Sequence, residues 1–184
     1  MILYGAKPSY AITRAKVKDR MRIGIGYDVH ALVVGRPLVL GGVAIPYDFG
    51  LDGHSDADVV VHALCDAMLG ALALGDLGQH FPSTDERWRG VSSLRLLQHV
   101  VGLLSARHYT LGNADITVVA QRPRLASYIS HMVQTLATTI GVAPSQMSVK
   151  ATTTDGLGFT GTGAGIAAYA VCLCVDHQTD GQDG

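Results

Sequence analysis

From Arg22 to Leu32 apolar and polar residues alternate, the period-two pattern of a strand with one face turned to a core. Pro37 to Ile45 carries short apolar runs on either side of Gly41-Gly42, which predicts a hairpin-like pair bent at the glycines. The period then changes. Val59, Val60, Ala63, Ala67 and Leu74 recur at helical spacing, so Ser55 or Asp56 is expected to cap a helix that runs to about Leu74 and stops at Gly75. Leu94, Leu97, Val101 and Leu104 predict a second helix over 92–107, and Ile116, Val118 and Ala120 a strand over 109–120. A third helix, about 125–140, precedes strands over 148–153 and 166–175. Strands interleaved with a few helices predict an α+β fold, a two-layer sandwich with helices on one face of the sheet.

Residues 1–20 break from this pattern. They carry Lys7, Arg14, Lys16, Lys18 and Arg20 against a single acid, Asp19, and read as a flexible extension, while 177–184 are polar, aperiodic and read as a disordered tail. One domain over 21–176 remains. With 48% hydrophobic residues among 184, it can bury one sizeable core. A formal net charge of −1 supplies no broad positive field, so neither nucleic acid nor a membrane is an expected partner. Cys65, Cys172 and Cys174 fit no disulfide framework, and no run reaches the roughly 18 apolar residues of a membrane span. A soluble protein of the reducing cytoplasm is the expectation.

Candidate chemistry starts with Asp28-Val29-His30, because residues two apart on a strand project to the same face. His62, on the following helix, offers a third ligand. Asp28, His30 and His62 together are a nitrogen and oxygen set suited to zinc with one position left open, the arrangement of catalytic zinc. Taken alone, the tripeptide favours the plainer reading, in which Asp28 and His30 pair near a strand end while His62 packs in a core or on a surface. Its surroundings add weight: His54 and Ser55 precede the same helix, whose first amides can attract an anion. Asp56 reads best as a cap, and Asp58 and Asp66 as partners that could orient His62.

Gly26-Tyr27-Asp28-Val29-His30, His54-Ser55-Asp56 and Lys150-Ala151-Thr152-Thr153-Thr154 resemble the hallmark segments of the 2-C-methyl-D-erythritol 2,4-cyclodiphosphate synthase family. Leu74-Gly75-Asp76-Leu77-Gly78, Phe81-Pro82 and Leu157-Gly158-Phe159-Thr160-Gly161 follow in the family's order. The resemblance implies a ferredoxin-like fold with a mixed sheet, a homotrimer with active sites between subunits, and a cytoplasmic phosphorus–oxygen lyase of the non-mevalonate isoprenoid pathway. It implies the substrate 4-diphosphocytidyl-2-C-methyl-D-erythritol 2-phosphate, cyclised with release of CMP.

Site roles follow from the same resemblance. One zinc per subunit sits on Asp28, His30 and His62, and Mg²⁺ or Mn²⁺ on the diphosphate is held by Asp155, one methylene shorter than the family's usual glutamate. His54 and Thr153 stabilise the transition state. Asp28, Val29, His30, His54 and Ser55 line the substrate side, with Asp76, Leu77 and Gly78 taking the erythritol hydroxyls. Phe81, Pro82, Ser83, Thr84, Asp85 and Phe159 complete that side. The cytidine and its phosphates fall to Ala120, Gln121, Arg122, Pro123, Arg124, Leu125 and Ala126, with Thr152, Thr153, Thr154 and Asp155. Thr162 stands where many family members carry an arginine near the threefold axis, so binding of an isoprenoid diphosphate there is expected to be weak.

Overall fold

The computed structural model describes residues 21–177; the extension assigned to 1–20 and all of the predicted tail except His177 lie outside the described residues. Strands β1 (Met21–Val34), β2 (Leu38–Leu40), β3 (Val43–Ile45), β4 (Phe49–Leu51), β5 (Tyr109–Val119), β6 (Met147–Thr152) and β7 (Gly165–Asp176) carry the architecture. Helices α1 (Val59–Ala71), α2 (Leu77–His80), α3 (Ser93–Ser105), α4 (Ile129–Ile140) and α5 (Gly158–Gly161) join them. Five strands form one mixed sheet in the order β4-β1-β7-β5-β6, in which only β5 and β6 run parallel. The predicted hairpin is present: β2 pairs antiparallel with β3 around Gly41-Gly42. Periodicity gave no sign of β4, three residues that pair with the end of β1, nor of the four-residue helices α2 and α5.

Helices α1, α3 and α4 cover one face of the sheet and share the apolar core with it. Helix α1 is buried almost all round, because α3 covers the side turned away from the sheet. Its closeness to the sheet is written in β1. Gly24 and Gly26 point at its backbone, and a Cβ built on either would lie 1.9 Å from the carbonyl oxygen of Ala67 or Ala63. The two missing side chains let α1 lie on β1, and the next two residues facing the same way are Asp28 and His30. His62, one residue before Ala63, therefore arrives over the two ligand candidates.

This close approach makes a prediction. Gly26→Ala should cost about 3 kcal/mol, at the upper end for overpacking in a filled core, and should weaken metal binding by lifting His62 away. Denaturant unfolding beside a metal titration checks both effects.

Three sequence expectations are corrected. Helix α1 is capped by Asp58, not by Ser55 or Asp56, because Ala57 adopts the left-handed conformation (φ 57°) and breaks the chain direction first. The Asp58 carboxylate accepts from Val60 and Val61 and also from the Gly41 and Gly42 amides, tying the β2–β3 turn to the helix start. The helix ends at Ala71, three residues short of Leu74, with Ala73 left-handed at φ 55°. Helix α4 begins at Ile129 rather than near Leu125, since 120–128 is loop that closes a pocket.

The other face of the sheet is open. Ile23, Ile25, Tyr27 and Val29 of β1 alternate outward beside Tyr169 and Val171 of β7, with Ile25 71% exposed. Among the described residues no helix is long and apolar enough to cross a membrane.

Candidate active site

Asp28 and His30 leave β1 on its helix-covered face, and His62 meets them from the first turn of α1. Three atoms converge. Asp28 Oδ2 lies 3.0 Å from His30 Nε2 and 2.9 Å from His62 Nδ1, and the two imidazole nitrogens are 3.1 Å apart. Three donor atoms at this spacing approximate one face of a tetrahedron around an ion with bonds of about 2.0–2.1 Å, after a slight opening. The donor chemistry fits as well. His30 Nδ1 lies 2.5 Å from the Asp52 carbonyl, which can only accept, so Nδ1 carries a proton and Nε2 is the nitrogen that faces Asp28 and is open to a metal. Each residue of the trio offers one ligand atom to a metal.

Electrostatics agree with a cation site. Burial would raise the Asp28 pKa, but hydrogen bonds from His30 and His62 and their charge hold the carboxyl well below its ordinary range. Burial would likewise lower the His30 pKa, yet the Asp28 hydrogen bond and charge, with the Asp52 carbonyl, lift it above the usual imidazole value. A metal would displace the proton that this arrangement attracts.

Asp58 and Asp66, the candidates for orienting His62, do other work. Asp58 is the α1 cap; burial pushes its carboxyl up to about 6, against the pull of the Gly42 and Gly41 amides. Asp66 accepts from the Leu77 amide at 2.7 Å and so fixes the start of α2. The group that touches the far nitrogen of His62 is Ser93, at 2.9 Å from Nε2, with Ser55 Oγ at 3.2 Å. Ser93 is wholly buried and lies at the start of α3, where apolar spacing alone gave no reason to single it out.

The trio opens into a cavity of about 180 Å³ walled by His30, His54, Ser55, His62, Leu77, Phe81, Ser83, Trp88 and Leu96. Of the residues expected on the substrate side, His54, Ser55, Leu77, Phe81 and Ser83 are thus brought to the metal ligands; Trp88 and Leu96 were not anticipated. Val29 turns to the open face of the sheet. Gly78, Pro82 and Thr84 stand outside this cavity. Asp76 caps α2 and receives both the Gln79 amide and its side chain, which hold the carboxyl below its ordinary range. Asp85 is paired with Arg87, while its carbonyl lies 3.1 Å from His54 Nε2.

A second cluster forms where β5 and β6 end side by side. Ala120, Gln121, Pro123, Arg124, Leu125, Ala126, Thr152 and Thr153 line a cavity of about 220 Å³ together with Ala151. Arg122 departs from this group and lines a separate concavity with Tyr47 and Thr162. Thr154, Asp155 and Phe159 face a concavity of about 630 Å³, which lies over Tyr27 and Tyr169 on the open sheet face. Thr153 Oγ1 donates to Asp155 at 3.1 Å, so hydroxyl and carboxylate act as one unit on a left-handed turn at Asp155 (φ 50°).

Fold and site together define a small α+β protein with a two-histidine, one-carboxylate group at a strand end that could hold a metal ion. The YgbB family model matches residues 21–175, and the chain belongs to that family. A 2-C-methyl-D-erythritol 2,4-cyclodiphosphate synthase from Trichlorobacter lovleyi is 56% identical over 155 residues, covering 84% of this chain and 99% of that one. The synthase of the same description from Moorella thermoacetica is 59% identical over 158 residues, covering 86% and 97%. An IspF from Plasmodium falciparum, solved as a CDP complex, superposes with a TM-score of 0.76 at 33% identity, covering 86% and 97%.

Proposed function

We propose that this chain converts 4-diphosphocytidyl-2-C-methyl-D-erythritol 2-phosphate to 2-C-methyl-D-erythritol 2,4-cyclodiphosphate and CMP. Family membership gives the reaction its name, and the convergence of Asp28, His30 and His62 beside the His54–Ser55 cavity is the observation that carries it. In the reaction an oxygen of the 2-phosphate attacks the phosphorus next to the erythritol, and the bond from that phosphorus to the cytidine monophosphate breaks in line. No protein nucleophile is required. Catalysis consists of holding two anionic groups together and matching charge as it shifts.

Zinc bound to Asp28, His30 and His62, with Mg²⁺ or Mn²⁺ at Asp155, would supply Lewis-acid neutralisation of the phosphate oxygens. The chain's own groups do the rest. His54 and the Ser55 hydroxyl border the phosphate position, Phe81 and Leu96 keep water from the reacting end, and Thr153 donates toward the transferred phosphate. Arg124 pairs with the nucleotide's phosphates, and the 120–126 loop encloses the base.

The same reading takes the fold as ferredoxin-like and the assembly as a homotrimer with shared sites. Support comes from two features of the single chain. The metal cluster on β1 and the nucleotide cavity at β6 are three strand positions apart, roughly 14 Å, and occupy separate cavities. The exposed Ile23, Ile25, Tyr27, Tyr169 and Val171 form an apolar sheet face of the kind that subunits cover.

Phosphorus NMR of the purified protein with the diphosphocytidyl substrate tests the reaction. Appearance of the cyclic diphosphate pair of resonances together with CMP is expected. A linear, solvent-opened product would replace cyclisation by zinc-dependent hydrolysis.

A further inference from the structure

The direction of the hydrogen bonds behind His62 can be read from which groups are able to donate. Asp56 carries a carboxylate, an acceptor only. It receives the Ser93 amide at 3.0 Å and the Ser93 hydroxyl in a very short contact. That hydroxyl has one proton, and the carboxylate takes it. The lone pairs of Ser93 Oγ are then what face His62 Nε2 at 2.9 Å, so Nε2 must be the protonated nitrogen of the ring. The other nitrogen, Nδ1, faces the Asp28 carboxylate and His30; without metal it can donate to Asp28, and a metal takes the place of that proton. Ser55 Oγ, which accepts the Ala57 amide, offers Nε2 a longer alternative at 3.2 Å.

We propose that Asp56 and Ser93 are positioning residues: they form a relay, Asp56 to Ser93 to His62, that fixes the His62 tautomer and ring angle in which Nδ1 binds metal. The inference rests on the reading of Asp28, His30 and His62 as metal ligands. It assigns to Asp56 a task distinct from capping α1, and to Ser93 one that neither the sequence nor the family comparison names. The relay is rigid by construction. Ser93 is fully buried, its amide is tied to the same carboxylate, and α3 packs directly on α1; the Asp56 carboxylate is the nearer and charged acceptor for its hydroxyl, with Ser55 Oγ at 3.4 Å the alternative.

Removing and reversing the relay have different consequences. Ser93→Ala deletes the acceptor but leaves Ser55 as a substitute, so zinc affinity should fall about tenfold, the mild end of the range for such outer partners. Asp56→Asn keeps the shape and reverses the polarity. The Asn oxygen must still accept the Ser93 amide, because the alternative sacrifices this bond in favour of the longer one from the Asp58 amide, 3.3 Å. The Asn NH₂ then faces Ser93 Oγ and turns the hydroxyl proton toward His62 Nε2. That favours the Nδ1–H tautomer, which blocks the metal, and the loss should approach 100-fold.

Long-range ¹⁵N NMR of the zinc-loaded wild type reads which His62 nitrogen keeps its proton; zinc competition with a chelator reads affinity, and denaturant unfolding reports folding. Expected are Nε2–H in the wild type and a weaker site in both folded variants, with Asp56→Asn the weaker of the two. An Nδ1–H tautomer in the wild type, or zinc affinity within twofold of wild type in folded Ser93→Ala and Asp56→Asn, overturns the relay. Should Asp56→Asn fail to fold, Ser93→Ala and the wild-type tautomer decide alone. A wild-type protein that takes up no zinc overturns the metal reading, and the relay with it.

Discussion

His62→Ala is expected to yield a folded protein that no longer retains zinc and turns over at least ~10³-fold more slowly, since a Lewis-acid metal is worth several kcal/mol in the transition state. The substitution removes one of three converging ligand atoms and leaves Asp28 and His30, too few for a site that must keep a position free for phosphate. Folding should survive. The ring lies at the edge of the core, 8% exposed and partnered by hydroxyls and the other ligands rather than by apolar packing. Elemental analysis of the dialysed variant is the direct measurement; one equivalent of zinc in a folded His62→Ala protein would show that the ligand set is wrong.

Periodicity recovered the large elements because their burial is one-sided. Alternation in β1 records the sheet's two faces, and the apolar repeats of α3 and α4 record the sides turned to the core. Boundaries failed where backbone conformation overrode composition. Ala57 and Ala73 take left-handed angles that nothing in an alanine advertises, and both ends of α1 shift because of them. The ligand trio was legible because a strand puts Asp28 and His30 on one side, while the glycines two and four residues before Asp28 bring the helix close enough for His62. The partners of His62 were not legible. Asp56 and Ser93 meet across 37 residues of sequence, through the packing of α3 on α1, and no local pattern encodes that contact. Arg122 and Arg124 look equivalent in sequence, yet Arg124 borders the cavity at the ends of β5 and β6 and Arg122 another concavity.

Mixing two inactive chains is expected to restore activity if the site is shared between copies. The first chain, His62→Ala, lacks the metal half; the second, Asp155→Asn, keeps that half and loses the carboxylate proposed to hold the second ion. Each alone should be nearly silent. In a closed ring of three, every site takes its metal half from one subunit and its nucleotide half from the next. A site works when an Asp155→Asn chain supplies the metal half and a His62→Ala chain the nucleotide half. With equal amounts and random assembly that pairing occurs at about one site in four, so the mixture as a whole should recover about a quarter of wild-type activity. The geometry motivates the experiment: Asp155 opens onto the exposed apolar face and does not line the cavity beside the trio. Co-refolding the two variants, or exchanging subunits under mild denaturant, followed by the phosphorus NMR assay provides the measurement. If each site is complete within one chain, every site in the mixture keeps its own defect, and activity stays at the level of the separate variants whatever the mixing ratio.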